Sequence, residues 1–197
     1  MKQTLKDIQQ IIDSLPLNKQ PDAITFKDSL YECFSVYGDL FDAWYAGLPK
    51  ADYASPASSR FHHNYPGGVL VHCGQMIEVY RSIRGMYELE EYAEDTTFME
   101  LAIVLHDHFK MVDGHYKTEG KKIVPTPGRN HLKEMTDHLK SHAMLFLTPD
   151  EGSELIHMIG SHHGRMNWGC VEEPRTASAN LLHQLDMISA KCLGEWK

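Results

Sequence analysis

The sequence predicts an all-α fold. Apolar residues recur at three- and four-residue spacing in six or seven separate stretches, the mark of helices that bury one face. The connecting segments show no internal repeat and no linker fit to separate two domains. The one stretch that reads otherwise, residues 111–128 (MVDGHYKTEGKKIVPTPG), is a loop or a short hairpin.

The elements follow in order. Leu5, Ile8, Ile11, Ile12 and Leu15 form a first helical stripe, stopped by Pro16. A second helix, with Thr25 and Asp28 as candidate caps, carries Phe26, Leu30, Phe34, Tyr37, Phe41 and Trp44 and ends near Gly47–Pro49. Its aromatic stripe reads most simply as core or as a subunit contact. KADYASPASSRFHHNYPGG has no period and is a loop. Val69, Cys73, Met76, Tyr80, Ile83 and Tyr87 mark a third helix, and residues 97–107 a shorter, more buried fourth. Helical patterns resume at about 131–147, 153–163 and 177–193, the last capped by Thr176. Residues 1–50 are expected to pack as N-terminal helices on the core formed by 51–197, in one structural unit.

Composition narrows the function. A formal net charge of -8 argues against a broad surface for duplex DNA or RNA, although it leaves room for a small phosphorylated substrate. Apolar runs such as Leu101–Leu105 are far too short to span a bilayer, so no membrane partner is expected. The amphipathic, partly acidic N-terminus fits neither a secretion signal nor a transit peptide, which makes the cytoplasm the expected location. Cys33, Cys73, Cys170 and Cys192 are widely spaced and read as free thiols.

The chain has 13 histidines, spread from His62 to His183. Several sit where helices end. In LAIVLHDHFK (101–110), a buried helical run ends in His106 and Asp107. A carboxylate delivered to a core is costly unless it is paired or bound to a metal. His72 opens the third helix, His138 and His142 lie on the fifth, His162–His163 end the sixth, and Asp186 lies among Leu181, Leu182, Leu185, Met187 and Ile188. Imidazoles and carboxylates from several helices are the usual way to build a metal site in a bundle. Mixed nitrogen and oxygen ligation suits Mn, Fe, Co, Ni or Zn better than calcium. His115 and His157 read as surface or packing histidines, and His183 as a hydrogen-bonding group in the core.

The order H…HD…H…HH…D resembles the HD-domain superfamily of metal-dependent phosphohydrolases. The local strings resemble the branch found in YhaM-type 3′–5′ exoribonucleases. PAS-x-R-x-HH-N-Y-x-GG-x-x-x-H stands at Pro56–His72 and HD-x-x-K at His106–Lys110. SHHG, Trp-Gly, Pro-x-Thr and L-H-x-x-D follow between Ser161 and Asp186. The resemblance covers roughly residues 50–195 and implies an HD helical bundle. It implies that His72, His106, Asp107 and Asp186 hold one metal, and that Asp107 bridges to a second held by His138, His162 and His163. His138 is preferred because HLKSHAMLFL resembles the family's H-x-x-x-x-A helix start; His131 and His142 are the alternatives. One or two divalent ions are implied, with Mg added to the metals above. Phe109 stands where the family usually has glycine, and His108 where an aliphatic residue is common; both changes are expected to reshape the pocket mouth, so substrate identity is not simply inherited. The exoribonucleases carry a nucleic-acid-binding domain ahead of this one, whereas about 50 mainly helical residues precede the motifs here.

The chemistry implied is hydrolysis of a phosphate ester or phosphodiester by a metal-bound hydroxide, whose pKa two ions lower toward ~7 from about 15.7. Asp107, Lys110, His62 and His63 are the candidate catalytic residues; Arg60, His62, His63, Lys110 and Arg165 are the candidate substrate contacts. The expected substrate is a nucleotide or short single-stranded oligonucleotide, and small HD domains often form homodimers. Two other readings share the ligand set: a mixed-valent di-iron oxygenase and a non-catalytic nucleotide binder.

Overall fold

Apolar stripes and local capping account for seven helices among the residues described by the computed structural model, which are 1–87, 96–120 and 122–193. They are α1 (Lys2–Ser14), α2 (Gln20–Ala46), α3 (Gly68–Met86), α4 (Thr96–His106), α5 (His131–His142), α6 (Pro149–Ser161) and α7 (Ala177–Ile188). A π turn, Ser189–Leu193, continues from α7. Two short strands, β1 (Tyr116–Glu119) and β2 (Lys122–Pro125), pair antiparallel, with Tyr116 opposite Pro125. Among the described residues the fold is all-α apart from this strand pair.

Two helices begin earlier than the sequence predicts. α2 starts at Gln20, because Pro21 suits a first helical turn, where its missing N–H is no loss. Thr25 and Asp28 therefore lie inside it. Thr25 hydroxyl donates to Pro21 O and to Glu78 Oε1. α6 starts at Pro149 behind a reciprocal capping box, in which Thr148 hydroxyl accepts from Glu151 N–H and the Glu151 carboxylate accepts from Thr148 N–H. The predicted 131–147 helix ends at His142 and tightens into a 3-10 turn over Ala143–Leu145.

One apolar core joins the N-terminal helices to the rest. Ile8 and Ile12 of α1, Phe26 and Leu30 of α2, Leu70 and Ile77 of α3, and Leu101–Leu105 of α4 belong to the same buried cluster as Met135, Leu155, Ile159, Leu182 and Leu185. Buried Glu100 of α4 ties α2 and α3 to it: it accepts from Ser29 hydroxyl (2.6 Å) and from Arg81 Nε and Nη2 (2.7 and 2.8 Å). None of the four cysteines is in a disulfide, and three of them are buried. No helix among the described residues is long and apolar enough to cross a membrane.

Candidate metal centre

The five-residue run Leu101–Leu105 is buried throughout, so α4 is anchored by packing and its C-terminus is carried into the interior. There His106 Nδ1–H donates to Ile103 O at 2.6 Å, satisfying a carbonyl that the helix end would leave open. α6 ends in the same way: His162 Nδ1 lies 2.7 Å from Ile159 O. With Nδ1 committed as donor, each imidazole presents an Nε2 lone pair inward, the state in which histidine binds a metal. His72 is held by Ser189 hydroxyl, 2.9 Å from its Nδ1, and His163 by Trp168 O, 2.8 Å from its Nδ1. Two helix C-termini, each bearing partial negative charge, thus end at one place and favour a cation there.

Asp107 stands at the centre, wholly buried. Its two oxygens face different groups. Oδ2 lies 4.0 Å from His72 Nε2, 3.5 Å from His106 Nε2 and 2.6 Å from Lys110 Nζ. Oδ1 lies 3.2 Å from His131 Nε2 and 3.7 Å from His162 Nε2. On the first side, Asp186 Oδ1 is 3.2 Å from His72 Nε2; on the second, His163 groups with His131 and His162. Nε2 of His72, His106, His131 and His162, together with Asp107 Oδ1, is buried without a hydrogen-bond partner among the described residues. The short His131–Asp107 and His72–Asp186 approaches are not aligned as hydrogen bonds. Orphaned buried polar atoms are costly, and five aimed at one small volume are the signature of ligands to a cation. The donor set, imidazole nitrogen and carboxylate oxygen, fits a first-row divalent metal.

The electrostatics keep these groups ready to bind. Burial would raise Asp107, but Lys110, His106 and His131 outweigh it and hold the carboxyl well below the usual range. Burial pushes Asp186 up, and His72 more than offsets it, so this carboxyl is also ionised. Burial lowers His106, His131 and His162, leaving neutral imidazoles. Lys110 is raised, because Asp107 overrides its burial, so it stays charged.

His138 is not at this centre. It packs on Trp44, 5.7 Å between ring centroids, on Phe109 at 6.3 Å, and stacks on His142 at 4.8 Å. The position expected of it is taken by His131, at the start of α5 behind its cap Asn130, whose side chain accepts from Lys133 N–H. The physical reason is height along the helix: seven residues separate the two histidines, about 10 Å of rise on nearly the same face. His142, the other alternative, is exposed and bonds His138 O. The Asn130 cap was the available signal for His131. His108 and Phe109, expected to shape the pocket mouth, are both buried, His108 against Tyr45 (ring centroids 5.3 Å), and neither lines the cavity that Lys110, His163 and Asp186 share.

The HHNY loop comes down beside His72. His62 and His63 rings lie 4.9 and 5.4 Å from it, and His62 Nδ1 is 3.0 Å from His63 Nδ1. His63 is the one non-glycine residue with positive φ (46°) among the described residues, and its carbonyl lies where a Cβ on Gly68 would be only 2.0 Å away. Only glycine fits there. His63 Nε2 meets Gln75 Oε1 at 3.0 Å, and Gln75 in turn contacts Ser189 and Asp22. Burial, then neighbouring His72, holds His62 at about 2 and His63 at about 3, so at neutral pH they are hydrogen-bonding groups rather than stored protons. Ser189 and Gln75, which orient the histidines, carry no signal in the sequence. His183 Nδ1–H donates to His162 O at 2.7 Å, as a core hydrogen-bonding group should. His157 pairs with Glu172 at 3.2 Å, and His115 packs on His131. Arg60 is exposed, with its backbone N–H on Ser58 hydroxyl. Arg165 stands over the Trp168 ring.

The chain is similar in sequence to proteins named as YhaM 3′–5′ exoribonucleases. The YhaM 3′–5′ exoribonuclease of Shouchella clausii is 30% identical over 144 residues, which cover 70% of this chain and 42% of that protein. The Bacillus pumilus protein of the same name is 30% identical over 152 residues, 74% of this chain and 45% of its own length. The chain is a relative of the YhaM exoribonucleases. The HD-type order of its motifs agrees with that relationship. With the Bacillus subtilis YhaM the likeness extends over 193 residues at 24% identity, 94% of this chain and 58% of that one, and so takes in part of the N-terminal helices. The chain spans about half the length of the curated relatives it matches. No family model matches it, and no solved structure matches it significantly.

Proposed function

We propose that this chain is a metal-dependent phosphodiester hydrolase acting on a nucleotide or on the 3′ end of a short single-stranded oligonucleotide. The observation that carries the reading is the division of labour at Asp107, whose two oxygens face two separate sets of unpartnered histidine nitrogens. This arrangement supports a carboxylate that two ions would share. His72, His106, Asp107 and Asp186 would hold one, and Asp107, His131, His162 and His163 the other. Divalent ions bound there supply Lewis acidity toward a phosphoryl oxygen and a water of lowered pKa.

The chain's own residues do the rest. Lys110, charged and lining the cavity above the centre, is the phosphate contact once a cation takes over its partner Asp107. Neutral His62, which lines the same cavity, is placed to hydrogen-bond a substrate oxygen beside His72, while buried His63, with both ring nitrogens taken by His62 and Gln75, positions it. Exoribonuclease activity in the relatives supports phosphodiester chemistry over the oxygenase reading.

The test is hydrolysis of a panel of nucleotides and short oligonucleotides with added Mn²⁺, in native protein and in Asp107→Ala. Metal-dependent product release that disappears in the variant is the expected result. Oxygen consumption with iron and no phosphodiester cleavage would replace this reading with the di-iron one.

A further inference from the structure

The cavity above the metal centre, about 470 Å³ and within the range of small-ligand sites, is walled by aromatic rings that metal chemistry does not use. Lys110, His163 and Asp186 line its inner part, and Phe61 and Trp168 its outer part. These two rings come from separate loops and are 56% and 44% exposed. Trp168 also gathers positive charge. Arg165 guanidinium stands 5.0 Å from its ring centroid and Lys191 ammonium 5.5 Å.

The loop that bears Trp168 is held in place. Gly164 has φ +83° and sits so close to the His183 ring that a Cβ would lie 2.4 Å from it, and Asn130 side-chain N–H donates to Gly169 O at 3.0 Å. Trp168 O accepts from His163. One residue therefore orients a candidate metal ligand with its backbone and presents a flat apolar ring with its side chain.

We propose that Phe61 and Trp168 form a stacking subsite for the terminal base of a single-stranded substrate, with Arg165 and Lys191 placed for its phosphates. The inference rests on the phosphodiesterase reading and names what that site recognises. Aromatic stacking suits this role because every base has a π-face, so recognition is independent of sequence. It also explains how a chain of net charge -8 engages a polyanion: two cations and two rings at the mouth suffice, without a basic surface.

The experiment compares native chain, Trp168→Ala, Trp168→Phe and Phe61→Ala with Mn²⁺ on a short single-stranded RNA and on the same RNA ending in an abasic residue. Trp168→Ala is expected to raise KM roughly 5- to 150-fold on the intact RNA, the value of one base stack. Phenylalanine restores most of it, and Phe61→Ala gives a smaller rise. The native protein on abasic RNA shows the same raised KM, and combining the abasic end with Trp168→Ala adds no further loss. Mn²⁺ affinity by calorimetry is retained in Trp168→Ala, whose backbone carbonyl still holds His163. Native and Trp168→Ala proteins cleaving intact RNA with equal KM would overturn the subsite while leaving the phosphodiesterase reading intact. A native protein that cleaves no oligonucleotide with any metal would overturn the subsite, and one that also releases no product from the nucleotide panel would overturn the phosphodiesterase reading with it.

Discussion

The two ends of α5 look alike in sequence and differ in everything that matters. His131 and His138 are seven residues apart on nearly one face, each followed by a leucine. His131 points its Nε2 at Asp107 from 3.2 Å, whereas His138 lies in an aromatic nest of Trp44, Phe109 and His142. Helical periodicity reports which side of a helix is buried. It does not report which layer of the bundle a given turn meets, and here one layer is a carboxylate and the other an aromatic cluster.

The largest effect that would sharpen this contrast is at the shared carboxylate. Asp107→Ala is expected to lose metal-dependent activity by on the order of 10³-fold or more, because it removes a group common to both sets of nitrogens. His131→Ala follows, with loss of at least one equivalent of bound Mn²⁺ by calorimetry and a matching fall in rate. His138→Ala should keep both, and a loss of metal in it alone would break the comparison.

Metal binding should also be visible as stability. At a hundredfold excess over Kd, Mn²⁺ contributes about 2.7 kcal/mol, a rise in Tm of roughly 5–10 °C for a chain of this size. A chelator should reverse it, and His131→Ala should shrink it. Ser189→Ala is a smaller change: it removes the group that orients His72 through Nδ1 and should cost about 10- to 100-fold in metal affinity or activity. The smallest effect is the stability change in His138→Ala, about 1 kcal/mol by thermal melting, from a half-buried ring that packs without an orphaned atom.

Much was legible beforehand because it is local. The helical class follows from apolar spacing, and the end of α4 follows from a buried run closed by His106 and Asp107. His72, His106, Asp107, His162, His163 and Asp186 stood at helix ends or on apolar faces, where an imidazole or carboxylate is conspicuous, and the structure brings them together. Apolar spacing alone puts the helix starts at Gln20 and Pro149 too late, since proline at a first turn and a capping box extend a helix beyond its apolar stripe.

By itself, then, the sequence determined the helical fold, the delivery of His106 and Asp107 to the interior, and the chemical kind of the site, all consequences of local spacing and residue type. The tertiary structure alone decided that His131 and not His138 meets Asp107, and that Ser189 and Gln75 steady the histidines from a distance in the chain. It alone turned His108 and Phe109 inward and left Phe61 and Trp168 at the mouth. Those outcomes depend on the depth at which helices pack and on contacts between residues far apart in sequence, and neither quantity is written in the periodicity of a single segment.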